Sequence, residues 1–498
     1  MGAHLNILLI TLDQFRGDCL SAAGHPVVRT PHLDQLAASG VRFARHYSQA
    51  APCAPGRASI YTGMYQMNHR VVANGTPLDA RFDNIALAAR RAGYDPVVFG
   101  YTDQGADPRS AVDADDPRLS VWEGILPGFE AVLDLPDDQA AWVAWLAELG
   151  YDTSGGSAQL LATESERPAE HGVSAFLTDR AIDWFDQRLA ATGGEHAGPW
   201  FVHLSYLRPH PPYSAAGRWA QAYDPDDVGL PIEPALVRHP LHDAVLRHPA
   251  AAAPTDEAAL RLMRAQYFGM ISEVDDQLGR LRDALTERGQ WDDTFVLVTS
   301  DHGEMLGDHG LREKLGYWEQ SYHVLGIVAD PRLPQGHGSV VNTFTENVDV
   351  MPTICEAIGV AVPAQCDGFP LTPWLRGEKP DRWRTAAHWE FDWRGEMIGQ
   401  VPHEWPWERT LERQHLAVLR TERAAYVQFG NGSWCCFDLV ADPSWRTEVT
   451  DPAVVLPLAQ DMLTWRSRHT GRELADMLVV DGGVGRWPQM PTGWAVTA

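Results

Sequence analysis

The chain is short of several things, and each shortage narrows what it does. Six cysteines (Cys19, Cys53, Cys355, Cys366, Cys435 and Cys436) are scattered over 498 residues, too sparsely for a disulfide scaffold, and neighbours such as Cys435 and Cys436 rarely bridge each other. That usage fits a reducing compartment, so the expected location is cytoplasmic. Cationic residues are outnumbered, 40 Lys plus Arg against 66 Asp plus Glu, for a net charge of −26. Such a balance excludes the basic stripes that bind nucleic acid or an anionic membrane. An anionic substrate would have to be met by a local cluster of cations or a metal. Apolar runs fall short of the ~20 residues that span a bilayer. The opening MGAHLNILLITLDQ lacks the basic stretch and small-residue cleavage site of an export signal. HExxH and EF-hand patterns are also missing.

What is present reads as an α/β protein. Asn6 to Leu12 (NILLITL) is a continuous apolar run of the kind buried on both faces of a parallel sheet. Pro96 to Tyr101, Phe201 to Leu207, Thr294 to Ser300 and Val324 to Ala329 are further strand candidates. Between them, Thr30 and Pro31 open a helix that ends near Gly40. Leu260, Met263, Tyr267, Ile271, Val274, Leu278, Leu281 and Leu285 step by threes and fours along one face of a longer helix. Strands alternating with helices predict a doubly wound, mostly parallel central sheet covered on both sides. Beyond about residue 385 short strands at 416–420, 424–429 and 434–440 and a helix near 454–468 predict a small antiparallel sheet with a helix. The expected division is a catalytic domain over 1–385 and an α+β subdomain over 386–498. The stretch from Trp389 to Trp407 reads as an irregular loop near a site or interface or, equally well, as core filler, and the Trp-bearing tail from Gly482 to Ala498 as frayed or docked on another subunit, hence a homo-oligomer.

Two apolar runs end in acids, where open α/β sheets place their ligands. NILLITL ends at Asp13-Gln14, and TFVLVTS ends at Asp301-His302. If those strands are neighbours, Asp13, Asp301 and His302 offer two carboxylates and an imidazole to one divalent metal; singly, each acid reads equally well as a helix cap or turn residue. The glycine-rich loop after His302 leads to Lys314, a cation returned to the ligand or an exposed side chain. Arg208-Pro209-His210-Pro211-Pro212 holds His210 in a rigid turn at a strand end, suited to a general acid and equally ordinary at a surface. In PCAPGRASIYTG, Pro55 fits a first helical turn and puts Cys53 at the helix mouth, with Arg57 one turn on. A helix mouth favours an anion or a group that handles one; the alternative is a half-buried thiol beside a surface arginine.

Taken together these residues resemble a known family. Cys53-Ala54-Pro55-Gly56-Arg57 matches the C-x-P-x-R signature of the type I sulfatases, within the alkaline phosphatase superfamily. LITLDQ, TPHLDQLAASGVRF, SDHGEMLGDHG followed by Lys314, RPHPPY and DLVADPSWRTEV look like pieces of the same family, spread over almost the whole chain. MNHRVVANGTPLD, GYDPVVFGYT and ISEVDDQLGRL are most similar to the phosphonate monoester hydrolases and related cytosolic arylsulfatases.

The resemblance implies that Cys53 is oxidised to formylglycine by a formylglycine-generating enzyme that reads the proline and arginine. The hydrated aldehyde then provides a hydroxyl nucleophile on a metal. It further implies metal ligands at Asp13, Gln14, residue 53, Asp301 and His302, with Mn2+ favoured over Ca2+, Mg2+ or Zn2+. His210 is the implied acid for the leaving group, while Arg57, Lys314, Asn74, Tyr101 and Thr102 hold substrate oxygens. Asp103-Gln104 departs from the hydroxyl residues of that subgroup, a change that either repels a substituent or binds a cationic one. The expected function is hydrolysis of sulfate esters, aryl ones above all, with side activity on phosphonate monoesters and phosphodiesters. The alternatives are a primary phosphonate monoester hydrolase or phosphodiesterase, and a non-catalytic metal- or anion-binding protein.

Overall fold

The computed structural model describes residues 5–191, 198–393 and 415–471, with the short backbone pair 478–479 and 485–486. Eight strands form the central sheet. In spatial order they are Ser339–Val341, Val41–Phe43, Gly326–Ala329, Thr294–Thr299, Asn6–Leu12, Phe201–Tyr206, Val97–Gly100 and Glu130–Asp134. Asn6–Leu12 lies in the middle with Phe201–Tyr206 and Thr294–Thr299 parallel to it on either side. All seven of its residues are buried, which is why the run is apolar without alternation. Gly326–Ala329 is antiparallel to both neighbours, the one reversal in an otherwise parallel sheet.

Helices cover both faces. On one side the helix Glu257–Glu287 packs its expected apolar stripe, joined by Val173–Ala191. On the other lie Cys53–Thr62, Ile85–Arg91 and Val350–Ile358. The helix Pro31–Ala38 is capped across the fold instead of by Thr30. Asp275 accepts from the backbone N–H groups of His32 (3.1 Å) and Leu33 (2.7 Å), while the Thr30 hydroxyl bonds Ser21 and Asp34.

A second sheet contains Trp434–Asp438, Ala424–Phe429, His415–Thr421, Ala386–Asp392 and Ala50–Ala51. Its antiparallel part is the small sheet anticipated near the C-terminus, flanked by the helix Pro452–His469. Ala50–Ala51 joins it in parallel through Glu390 and Phe391, so this sheet grips the backbone just ahead of Cys53. Two details differ from the expectation. The run Val324–Ala329 splits, His323–Val324 pairing with His46–Tyr47 and only the rest entering the main sheet. Trp389 is a buried strand residue stacked against Tyr47 and Tyr322, which departs from the loop reading of its stretch and agrees with the core one. The rest of the anticipated Trp-rich loop from residue 394, and nearly all of the tail, lie outside the described residues.

Candidate active site

Three adjacent strand ends meet at one point. Thr11 lies level with Thr299 on one side and Ser205 on the other, so Asp13, Asp301, His302 and Ser205 emerge together at the carboxyl edge of the sheet. Cys53 opens the helix Cys53–Thr62 directly above them. The donor atoms of Asp13, Cys53, Asp301 and His302 all lie within 4.8 Å of one another, and all four residues are buried.

Arg57 organises the acids. Its guanidinium is fully buried, donating from Nε to Asp301 Oδ2 (2.9 Å) and from Nη2 to Asp13 Oδ2 (3.0 Å). From Nη1 it reaches Ser205 Oγ (2.8 Å) and the Tyr101 carbonyl (3.3 Å), and the Tyr101 ring covers it at 4.2 Å. Each acid thus turns its Oδ1 toward the cluster, that of Asp301 also accepting the backbone N–H groups of Gln14 (3.2 Å) and His302 (2.9 Å). Asp13 Oδ1 lies 3.8 Å and Asp301 Oδ1 3.9 Å from His302 Nε2, which lies 3.3 Å from Cys53 Sγ. His302 Nδ1 faces the Gly303 carbonyl at 3.0 Å, which assigns the proton to Nδ1 and leaves a lone pair on Nε2. Burial lowers the imidazole pKa, so the ring is neutral, as a metal ligand must be.

Two carboxylate oxygens, a neutral imidazole nitrogen and residue 53 form a donor set that fits a divalent cation. Burial pushes the Asp13 carboxyl up, but the Arg57 and Lys314 charges outweigh it and hold Asp13 well below the usual range. Burial and the Asp13 charge push the Cys53 thiol far up, so unmodified it stays protonated and weakly nucleophilic.

Behind the acids lies a second layer. Lys314 Nζ donates to Gln14 Oε1 (2.9 Å), lies 3.0 Å from His210 Nε2 and 3.3 Å from Glu313. Burial opposes its charge, but the carboxylates of Glu313, Asp13 and Asp301 raise the ammonium above its ordinary pKa. Gln14 donates its amide to Glu304, a fully buried carboxyl that also takes Tyr213 Oη (3.1 Å) and is pushed up to about 7 by burial. His210 Nδ1 faces the Pro211 carbonyl at 2.7 Å, which leaves Nε2 to accept from Lys314. Burial and the Lys314 charge lower the His210 pKa.

A cavity of about 320 Å³ opens above residue 53, with Asp13, Cys53, Asn74, Tyr101, Asp103 and His210 on its inner wall. Asn74 Oδ1 accepts the N–H of Ala54 at 3.0 Å, satisfying one of the free donors at the helix mouth. Tyr101 Oη donates to Asp13 Oδ2 at 2.5 Å. Asp103, 3.5 Å from Arg57, is pushed by burial up to about 8. Gln104 turns away and donates to the Ala54 carbonyl, bracing the helix.

Two sequence expectations are corrected. Thr102 does not face the substrate: its hydroxyl donates to the Gly124 carbonyl (2.9 Å) and accepts from Leu126 N–H (2.7 Å), tying down a loop. Arg57 does not reach the cavity either, since its fork is engaged by the acids and Ser205. Asp13, Cys53, Asp301 and His302 are brought together, Gln14, Lys314 and His210 form the layer beside them, and Asn74 and Tyr101 line the opening. Sequence reasoning missed Ser205, Tyr213, Glu304 and Glu313. Glu304 stands two residues from His302 and could have been flagged; Ser205 enters only through strand register.

Fold and site together place the chain in the alkaline phosphatase superfamily. More narrowly, it belongs to the sulfatase family, whose model matches residues 5–360; a second model, the C-terminal part of N-sulphoglucosamine sulphohydrolase, matches residues 307–465. The chain is 37% identical to the multifunctional alkaline phosphatase superfamily protein PehA of Trinickia caryophylli, over 94% of this chain and 96% of that protein. It is 28% identical to an arylsulfatase of Clostridium perfringens, over 77% of this chain and 81% of that protein. Among solved structures, the phosphonate monoester hydrolase of Agrobacterium radiobacter superposes with a TM-score of 0.86 at 39% identity, covering 97% of this chain and 100% of that one. The protein is accordingly a hydrolase.

Proposed function

We propose that the chain hydrolyses singly charged esters, phosphonate monoesters and phosphodiesters foremost and aryl sulfates second, through a formylglycine made from Cys53. The observation that carries this reading is the convergence of Asp13, Asp301 and His302 on residue 53 at a helix mouth. The order of substrates is supported by the higher identity to the phosphonate monoester hydrolase than to the arylsulfatase, reversing the preference read from sequence. Charge supports the singly charged class as a whole, sulfates included: with Arg57 engaged, Lys314 is the side-chain cation left beside the reacting centre among the described residues, and it is flanked by Glu313, an arrangement matched to a monoanion better than to a dianion.

Asp13, Asp301 and His302 would hold the metal, with Mn2+ favoured because an imidazole ligand suits it better than Ca2+. When present, the metal and the hydrated formylglycine supply an acidified hydroxyl as nucleophile and a Lewis acid for the ester oxygens. The chain itself does the rest. Arg57 fixes both acids with one oxygen each turned inward, and the helix mouth with Asn74 faces negative charge that builds on the ester. Lys314, held charged by its acidic neighbours, keeps its proton and faces the ester's negative charge; once it turns its hydrogen bond from His210 to the ester, His210 Nε2 is free to take a proton from solvent and give it to the departing oxygen. Maturation would need a formylglycine-generating enzyme as transient partner, and a cytoplasmic homo-oligomer is the working form we favour.

The test combines mass spectrometry of the Cys53 peptide, with and without a co-expressed formylglycine-generating enzyme, and paired nitrophenyl substrates. The expected result is conversion of residue 53 in active preparations, with kcat/KM for the phenylphosphonate above that for the sulfate. Full activity with a plain thiol at residue 53 would overturn the nucleophile assignment, and a higher value for the sulfate would overturn the order of substrates.

A further inference from the structure

The reacting cluster occupies only the floor of its cavity. The outer wall carries Trp122, Glu123, Asp137 and Gln139, and among the described residues lining the cavity there is neither lysine nor arginine. For an enzyme acting on anionic esters this polarity is unexpected, because the Glu123 and Asp137 carboxylates repel a substrate whose charge sits only at its ester group.

Several observations indicate what the outer wall accepts. Glu123 is half-buried, and its carboxylate takes the backbone N–H of Asp137 at 2.6 Å. Burial, with Asp137, Asp138 and Asp134 adding to it, pushes Glu123 up to about 7, the mark of a carboxylate among like charges with no counter-cation among the described residues. Gln139 is 2% exposed; it donates through Nε2 to the carbonyls of Leu135 (3.1 Å) and Pro136 (2.8 Å), while its Oε1 is buried without a partner among the described residues. A buried carbonyl oxygen left unpaired in a cavity wall calls for an N–H or O–H donor on the ligand. Trp122 is 43% exposed and offers an aromatic surface at the mouth. A bound metal is not the answer here, since among the described residues only the Asp13 cluster brings its ligand atoms close enough together.

We propose that this outer wall is a subsite for a protonated amine carried on the alcohol portion of the ester. The inference rests on the ester-hydrolase reading above and deepens it by naming the leaving-group class. Gln139 Oε1 accepts an ammonium N–H, Glu123 and Asp137 supply the countercharge, and the Trp122 ring adds a cation–π contact. Such a substrate is a zwitterion, its negative end on the metal side and its positive end among the outer acids. The acidic wall then discriminates against esters that carry no such cation.

The test compares 4-(2-aminoethyl)phenyl phenylphosphonate with 4-propylphenyl phenylphosphonate, near-isosteres that differ in the cation. The matured, metal-loaded enzyme is expected to favour the amine ester by roughly tenfold or more in kcat/KM at low salt. E123Q combined with D137N is expected to cut that ratio several-fold. A ratio near or below one, or a preference the double variant leaves in place, overturns the subsite. Binding of the product phenols alone, 4-(2-aminoethyl)phenol against 4-propylphenol, is read by ligand-observed NMR and requires no turnover. If neither ester is cleaved, the hydrolase reading fails. The subsite is then upheld by tighter binding of the amine that is lost in the double variant, and overturned by equal or weaker binding.

Discussion

Replacing Arg57 by lysine separates the role seen in the structure from that of a substrate-binding cation. Four hydrogen bonds leave the guanidinium, to Asp301 Oδ2, Asp13 Oδ2, Ser205 Oγ and the Tyr101 carbonyl, and the group is fully buried. An ammonium at that place is a point donor that cannot span two carboxylates at once. If it retains one acid, the variant loses at least two of these bonds, each to or from a charged group and each worth about 1.5–3 kcal/mol. The released carboxylate is also left buried beside its neighbour, so the expected total loss is about 3–5 kcal/mol. Against a typical stability of about 5–15 kcal/mol, a loss of that size is plain in urea unfolding. The comparison is made on metal-free protein expressed without the formylglycine-generating enzyme, so that residue 53 is a thiol in both forms and maturation cannot confuse the result. Calorimetric titration with Mn2+ provides a second reading: Arg57→Lys should weaken binding, because the inward-facing Oδ1 atoms are no longer held. A variant within about 1 kcal/mol of the parent that binds Mn2+ equally well would refute the bracing role.

Other expectations follow from the same geometry. His210→Gln should lower kcat/KM by about 100-fold or more for esters of poorly acidic phenols and by less than about tenfold for nitrophenyl esters; equal losses would remove His210 from proton delivery. Asp275, pushed up to about 7 from the usual 3.8 by burial, binds its proton more tightly in the folded than in the unfolded chain. Its contribution is fully present below the unfolded pKa and is lost as pH rises through about 7, so stability should fall across that window. Asp275→Asn keeps one acceptor oxygen, for the N–H of Leu33, gives up the bond to His32 and so is less stable at low pH, but should flatten that fall. Urea midpoints measured at about pH 4 and about pH 8 check this, and an unchanged slope would contradict it.

Much was legible from the chain alone because its signals are local. NILLITL and TFVLVTS announce strands buried on both faces, and the acids that close them mark a ligand edge whatever surrounds them. The apolar stripe from Met263 to Leu285 fixes a long helix facing the sheet, and the C-x-P-x-R stretch points to residue 53, the reacting position we propose. Register and burial lie beyond that reach. That Ser205 stands level with Thr11, and so meets Arg57, depends on how two strands some 190 residues apart align. Arg57 looked like a substrate-binding fork, yet the folded chain surrounds it with acids; Thr102 looked like a cavity residue, yet a distant loop takes its hydroxyl. The sequence by itself determined which residue types reach the sheet's carboxyl edge, because hydrophobic period and terminal acids are properties of short segments. Only the tertiary structure decided which atoms of those side chains remain free for chemistry, because a hydrogen bond is claimed by whichever partner packing brings within about 3 Å.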